Sequence, residues 1–326
     1  YDHGASLQKK GACCAGQDIE DAANVADKIG IPHYVLNYEN QFRDEVIDVF
    51  ADSYIRGKTP IPCVLCNQTV KFRDLLGVAR DLGADALATG HYIRRVQGKN
   101  GLGLFRAIDE KKDQSYFLFA TTPDQLEFLR FPLGELTKEE TRKLAERYEL
   151  PVAAKPDSQD ICFVPQGRYS DIVLKRRPDA AQVGDIVDIH GNVLGQHKGV
   201  IHYTVGQRRG LNLDSAGEAL YVLKINPNSK KLIVGPKEAL KTKSVTLSDV
   251  NWIGDKFRLG QTIECEVKVR SMRPPVTAAL KMLEKSKAEV ELAVSEIGIS
   301  PGQACVFYEG DRVLGGGWIN RDNLNT

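Results

Sequence analysis

Phe72-Arg73-Asp74-Leu75-Leu76-Gly77-Val78-Ala79-Arg80-Asp81-Leu82-Gly83-Ala84-Asp85-Ala86-Leu87-Ala88-Thr89-Gly90-His91 holds a helix, its stop signal and a short strand in one run. Phe72, Leu75, Leu76, Ala79 and Leu82 recur at intervals of three and four, which puts them on one helical face, and Gly83 ends the run. The small apolar residues 85–89 read as a strand entering Gly90-His91. Upstream, Ile19, Ala22, Ala23, Ala26 and Ile29 predict a first helix closed by Gly30, residues 31–38 a strand, and Phe42, Val46, Phe50 and Tyr54 a second helix before Gly57. Downstream, Thr122-Pro123 and Thr137 with Glu140 read as two more helix starts, the second a capping box. This alternation predicts a parallel sheet with helices on both faces.

From about residue 180 the pattern becomes short β-rich runs between turns such as Gly191-Asn192, Asn226-Pro227-Asn228 and Glu309-Gly310-Asp311. Cys265, Val267 and Val269 alternate with Glu264, Glu266, Lys268 and Arg270, which predicts a strand with Arg270 on its wet face; Val290, Leu292 and Val294 repeat the pattern. The expected organisation is an α/β domain over 1–165, a small β domain over 166–240 and a second over 241–326. A length of 326 residues fits two or three domains at roughly 100 to 200 residues each.

Hydrophobic residues at 42% and charged residues at 27% describe a chain able to bury cores, which excludes wholesale disorder. No apolar run reaches the roughly 18 residues of a membrane span, so a cytoplasmic protein is expected. Net charge is +1, yet residues 163–240 carry 11 basic and 7 acidic side chains. Within them Lys175-Arg176-Arg177 and Arg208-Arg209 are open to two readings, a phosphate contact or a solvated face.

Seven cysteines in a chain of this length suggest thiol chemistry or metal ligation rather than a secreted disulfide framework. Cys63 and Cys66 lie on the Pro-stiffened approach Thr59-Pro60-Ile61-Pro62 to the helix expected to open at Asn67. A helix start stabilises thiolate, so Cys66 is a candidate nucleophile. A zinc knuckle lacks a second close pair, and a thioredoxin-type pair does not fit the proline-rich approach. Cys162, after an expected strand, sits in the polar loop Asp157-Ser158-Gln159-Asp160-Ile161-Cys162; loops at strand ends converge on one crevice. Cys265 and Cys305 read as core residues, and Cys13-Cys14 receive no role. Lys111-Lys112-Asp113-Gln114-Ser115-Tyr116 either contacts a nucleic acid or caps the next helix. Gly315-Gly316-Gly317 reads as backbone packed against backbone.

Taken together, Gly57-Lys58-Thr59-Pro60-Ile61-Pro62 with Cys66-Asn67, Ala88-Thr89-Gly90-His91-Tyr92, Lys112-Asp113-Gln114-Ser115-Tyr116-Phe117-Leu118, Ile161-Cys162-Phe163, Val205-Gly206-Gln207-Arg208-Arg209-Gly210-Leu211 and Pro301-Gly302-Gln303 resemble the tRNA-specific 2-thiouridylases, in order along the chain. The resemblance implies a PP-loop ATP pyrophosphatase-like (adenine nucleotide alpha hydrolase-like) α/β domain, N-terminally incomplete, followed by two small β domains, the last a β-barrel. It implies ATP-dependent thiolation of the wobble uridine of tRNA, with ATP and Mg2+, and a sulfur-relay protein or cysteine desulfurase as donor. By motif, Cys162 carries a persulfide and Cys66 releases its sulfur and closes a disulfide with it. Gly90 lines the ATP site. Ile61, Pro62 and Cys63 meet the flipped base, and His91, Lys112, Asp113, Gln114, Arg270, Ser271 and Gln303 meet tRNA.

Two departures stand out. The family's Ser-Gly-Gly-x-Asp-Ser phosphate loop is absent and the chain opens on Tyr1, so about 30 residues, one βαβ unit, are expected to precede it, and the chain alone is expected not to thiolate. Cys63 stands where some members have Asp, giving three thiols (Cys63, Cys66 and Cys162) that allow an iron-sulfur cluster as an alternative. Other readings are a non-catalytic tRNA-binding protein and an argininosuccinate-type ligase, the latter disfavoured because it needs no paired thiols.

Overall fold

The computed structural model describes residues 16–99, 101–157, 161–164, 168–213 and 219–320. The first helix, α1, spans Gly16–Ile29 and ends at Gly30 with φ +72°. The second, α2, is one rod of three consecutive segments, Glu39–Phe42, Arg43–Ile47 with π-type bonding and Asp48–Ile55. Val46, Phe50 and Tyr54 are buried along it as their spacing predicts. The third, α3, likewise joins Pro62–Cys66, a π-type segment Asn67–Leu75 and Leu76–Asp81. The two predicted starts hold: Thr122 and Gln125 cap α4 (Pro123–Phe128), and Thr137 and Glu140 cap α5 (Lys138–Arg147), each as a reciprocal box.

Strand β1 (Leu87–Ala88) lies parallel to β4 (Leu129–Arg130), the parallel pairing expected of the α/β part. Residues 31–38 do not form the expected strand. A strand exists by hydrogen bonding to a neighbour, and none pairs with this segment among the described residues; Ile31, Tyr34, Val35 and Leu36 stand 54%, 80%, 62% and 48% exposed.

After α6 (Tyr169–Arg176), strands β5 (Gly184–Val187), β6 (Val193–His197), β7 (Tyr221–Asn226) and β8 (Lys231–Gly235) form a four-stranded sheet in the order β6-β5-β8-β7. Its apolar residues Ile186, Val222, Ile225 and Leu232 share one core with Val46, Phe50 and Tyr54 of α2.

The C-terminal strands are β9 (Lys241–Trp252), β10 (Thr262–Lys268), β11 (Val276–Glu284), β12 (Lys287–Ile297), β13 (Ala304–Glu309) and β14 (Arg312–Ile319). They run β13-β10-β11-β12-β9-β14, and β14 pairs back with β13, which closes a six-stranded barrel and removes its free edges. Cys265 and Cys305 are buried inside it, where burial pushes the Cys265 thiol up to about 12. Val290 and Leu292 also point inward, but Val294 is exposed because pairing with β9 shifts register between Glu291 and Glu296, and a slip of register turns side chains to the other face. The hairpin β2 (Ile93–Gly98) and β3 (Gly101–Arg106) leaves the α/β part and extends the barrel sheet through β3 against β14. A second core then joins Ile61, Val64 and Phe72 to Val306, Tyr308 and Val313 of the barrel. The α/β part is therefore welded to both β parts through shared apolar cores.

Candidate active site and nucleic-acid interface

The cysteine helix begins earlier than its apolar spacing suggests. Ile61 is the N-cap and Pro62 the first helical residue, where its fixed φ and missing N–H cost nothing. Cys63 and Cys66 are thus separated by one turn inside the helix, not on a loop ahead of it. Cys66 lies beyond the first positions, so the helix-start argument for its thiolate applies to Cys63 instead. Desolvation by the protein atoms around the sulfur nevertheless raises the Cys63 thiol, with Lys71 opposing, although the residue as a whole is open to solvent. Cys63 is exposed, whereas Ile61 and Pro62, expected beside it on the base, are buried.

Cys66 and Cys162 both pack, half-buried, against the core that contains Phe50, Val70 and Phe163. No strand precedes Cys162 among the described residues: the chain after Tyr148 is turns, broken by Pro151 and Pro156, which lack the N–H a ladder needs. The Cys162 segment is held by side chains instead. Phe163 packs edge-on to Phe42 and Phe50, at 5.9 and 5.1 Å between centroids, and Lys155 is paired with Asp18 and Asp21 of α1. Ser158, Gln159 and Asp160, and also Cys13 and Cys14, lie outside the described residues.

A cavity of about 900 Å3 opens where the α/β part meets the barrel. Gly90, Lys112, Asp113, Gln114 and Ser271 line it, bringing five of the sequence-predicted residues into one place. Arg94, Arg106, Lys111, Lys138, Lys268 and Arg273 add to its wall, making it basic overall against Glu110, Asp113, Asp157 and Asp311. Arg106 lies over the Tyr308 ring at 4.5 Å, and its buried Nε and Nη2 have no hydrogen-bond partner among the described residues. Guanidinium donors left without a protein acceptor make this part of the wall able to take water, an anion or a carbonyl. A Cβ added at Gly90 would touch Leu133 only at an ordinary 3.7 Å, so the protein does not use the space this glycine leaves.

Both cysteine segments are tied to this wall. Asn67, directly after Cys66, donates from Nδ2 to the Phe117 carbonyl at 3.2 Å. Asp157, five residues before Cys162, bridges Lys112 and Lys138 at 2.7 Å each, and the two ammonium groups hold its carboxyl down to about 2. Asp113 accepts from the Ala107 and Ser115 N–H groups and from Ser115 Oγ, while Gln114 Oε1 accepts from Tyr92 N–H. The Lys-Asp-Gln motif therefore braces the wall and caps the next turn as well as facing the cavity. Sequence reasoning missed this bridge because Asp157 lies 45 positions from Lys112 and 19 from Lys138, beyond any local pattern.

Three expected tRNA contacts are placed differently. His91 is 8% exposed, its Nδ1 2.9 Å from Thr89 Oγ1 and its ring edge-on to Phe72, so the imidazole faces inward. Arg270 is half-buried and its Nη2 donates to the Gly298 carbonyl, because the strand end brings it under that loop. Gln303 Nε2 donates to the Thr59 carbonyl at 2.9 Å. Of the basic runs, Arg176 pairs with Asp48 and Arg177 with Asp52, so these guanidinium groups fasten α6 to α2. Among the described residues no three His, Cys, Asp or Glu side chains converge to hold a metal ion, so Cys63, Cys66 and Cys162 do not form a ligand set in this arrangement.

His91 also sets an acid limit. Burial, helped by Lys71, pushes its pKa down to about 4 from the usual 6.5, so the unfolded chain binds its proton first as pH falls. Stability is unaffected above pH 6.5 and declines between 6.5 and 4, by about 3 kcal/mol for this group alone. Denaturant titrations at pH 7.5 and 4.5 should show that loss, and His91→Gln should flatten it; equal slopes in both proteins remove His91 from the acid response.

Residues 1–166 match the family model described as tRNA methyl transferase HUP domain, 171–236 its PRC-barrel domain and 242–319 the aminomethyltransferase beta-barrel domain. The chain is 60% identical over 323 residues to a tRNA-specific 2-thiouridylase MnmA of Paracoccus denitrificans, spanning 98% of this chain and 83% of that protein. It belongs to the tRNA-specific 2-thiouridylase family. Proteins of the same description from Jannaschia sp. and Rickettsia bellii are 58% and 57% identical, covering 98% and 99% of this chain and 86% and 88% of theirs. Membership places the α/β part in the HUP class, which accommodates ATP use, and no helix among the described residues is long and apolar enough to cross a membrane.

Proposed function

We propose that this chain works as an ATP-dependent tRNA-uridine 2-sulfurtransferase through the thiols of Cys66 and Cys162. One observation carries the reading: Cys66 and Cys162, 96 positions apart, pack on one core, and Asn67 and Asp157 of their segments are bonded to the wall of the same basic cavity. Family membership supplies the reaction. The wobble uridine is splayed from the anticodon loop, since a base must leave its stack before chemistry on C2. ATP is a substrate and its adenylyl group turns the C2 oxygen into a leaving group. The terminal sulfur of a Cys162 persulfide bonds to C2 as AMP departs with that oxygen. Cys66 then attacks the Cys162 sulfur, which leaves sulfur on C2 and closes a Cys66–Cys162 disulfide that an external thiol must reduce. The donor of the persulfide is a sulfur-relay or desulfurase protein in this reading, with Mg2+ accompanying ATP.

The cavity's cations have a separate task, holding RNA phosphates. Arg273 is exposed on its rim; burial lowers the pKa of the neighbouring Arg270, and the Arg273 charge adds to that. Arg273→Ala should weaken tRNA binding and reduce the slope of log affinity against log salt by about one unit. Arg270→Ala should leave that slope unchanged, because its guanidinium is engaged with Gly298. Equal slopes for parent and Arg273→Ala would move the RNA path away from this cavity.

A further inference from the structure

The segment Arg56-Gly57-Lys58-Thr59 links the end of α2 to the start of α3, so its path sets where Cys63 and Cys66 stand. It is gripped from two sides. On the barrel side, Thr59 N–H donates to the Pro301 carbonyl at 2.7 Å and the Thr59 carbonyl accepts from Gln303 Nε2 at 2.9 Å. Gly302, at φ +83°, comes so close that a Cβ there would lie 2.9 Å from Lys58 Cβ and 3.2 Å from both Thr59 N and O. On the other side, Gly57, at φ +69°, faces β7, and a Cβ on it would lie 3.0 Å from Ile225 Cγ2. Both grips are firm: Gly302 N–H donates to Ile319 O at 3.0 Å and Ile319 N–H to Gln303 O at 2.8 Å, while Ile225 is buried in the core it shares with α2.

We propose that Gln303 is a positioning residue for sulfur transfer: through Thr59 it holds the start of the cysteine helix, and the barrel thereby sets the place of Cys66. The two contacts on Thr59 use both of its backbone polar groups, so this residue has no freedom to rotate its peptide planes without breaking one. A displacement of an ångström at a nucleophile lowers the rate of a transfer that needs aligned sulfur atoms, whereas RNA gripped elsewhere on the cavity wall is not released. This role differs from a direct contact of Gln303 with RNA, and it rests on the sulfurtransferase reading.

The test uses the full-length protein with Gln303→Ala, with Gln303→Met, which keeps the bulk without the donor, and with Gly302→Ala. Four quantities are read: kcat and KM for tRNA thiolation, the rate of Cys66 alkylation by iodoacetamide, and the melting temperature. The expected result is a fall of roughly 10- to 100-fold in kcat with KM for tRNA within about twofold of the parent. The Cys66 alkylation rate should change by about threefold or more in Gln303→Met, whose fold is retained. A raised KM with unchanged kcat and alkylation would make Gln303 an RNA contact and overturn the proposal, as would no change in any of the three. If the parent forms no 2-thiouridine, the sulfurtransferase reading fails, and the alkylation rates of the same variants still decide whether Gln303 positions Cys66.

Discussion

Cys66→Ser and Cys162→Ser, introduced singly into the full-length protein, should each abolish 2-thiouridine formation, by about 1000-fold or more, while tRNA affinity stays within about twofold. A hydroxyl cannot carry persulfide sulfur and cannot close a disulfide, yet serine occupies nearly the volume of cysteine, so the core around Phe50, Val70 and Phe163 keeps its packing. Neither thiol lines the basic cavity, which is why binding is spared. Cys63→Ser is the internal comparison. Cys63 is exposed, it is absent from the core that receives the other two, and its thiol is raised rather than activated. It should retain most activity in air. Loss of activity and of a brown chromophore in Cys63→Ser, after anaerobic reconstitution with iron and sulfide, would make it a metal ligand and replace the two-thiol scheme. Substantial turnover in either of the other variants would remove that residue from the reaction.

Gly315→Ala should cost roughly 3 kcal/mol of stability. Gly315 has φ +136°, and a Cβ on it would stand 2.1 Å from the Asn251 carbonyl oxygen of β9, so both the backbone and its neighbour must move. The next two residues are similarly confined: a Cβ on Gly316 would meet Phe119 at 2.7 Å and the Cys305 carbonyl at 2.8 Å, and one on Gly317 would meet Val250 at 2.8 Å. These three glycines let β14 pass between β9, β13 and the α/β core, where the barrel closes and the two parts join. Gly77→Ala is the matched control, since a Cβ there meets nothing within 4 Å and the residue is helical; it should gain about 0.5–1 kcal/mol. Urea midpoints of the two variants measure the contrast, and a Gly315→Ala protein as stable as its parent would contradict the close approach.

What could be read from the chain follows the range of the signals. Val46, Phe50 and Tyr54 declared the buried face of α2, and Thr137 with Glu140 declared the start of α5, because helix periodicity and capping act within a few residues. The glycine run was legible as a backbone crossing because nothing else explains three adjacent residues without Cβ in a strand. The start of α3 at Pro62 was hidden, since the first turn carries no apolar repeat, although proline at the first helical position is itself a signal. The hairpin of β2 and β3 was passed over despite Asn100-Gly101, a strong turn pair, because its strands belong to a sheet more than 200 residues downstream. The same distance hid the destinations of Arg270 and Gln303. Alternation shows which side of a strand is polar, but not that Gly298 or Thr59 will arrive there to accept a hydrogen bond. Residues 31–38 failed for the opposite reason: their composition suits a strand, and strand formation depends on a neighbour that local sequence does not reveal.

The direct test of the central claim is peptide mass mapping after one turnover. The full-length protein is loaded with persulfide by a cysteine desulfurase, freed of excess donor and mixed with ATP and tRNA without reductant. The Cys162 peptide should begin 32 Da heavier, by one sulfur atom. After reaction it should lose that mass and appear cross-linked to the Cys66 peptide, with 2-thiouridine formed in equal amount. Formation of 2-thiouridine with no sulfur on Cys162 and no Cys66–Cys162 cross-link would contradict the account.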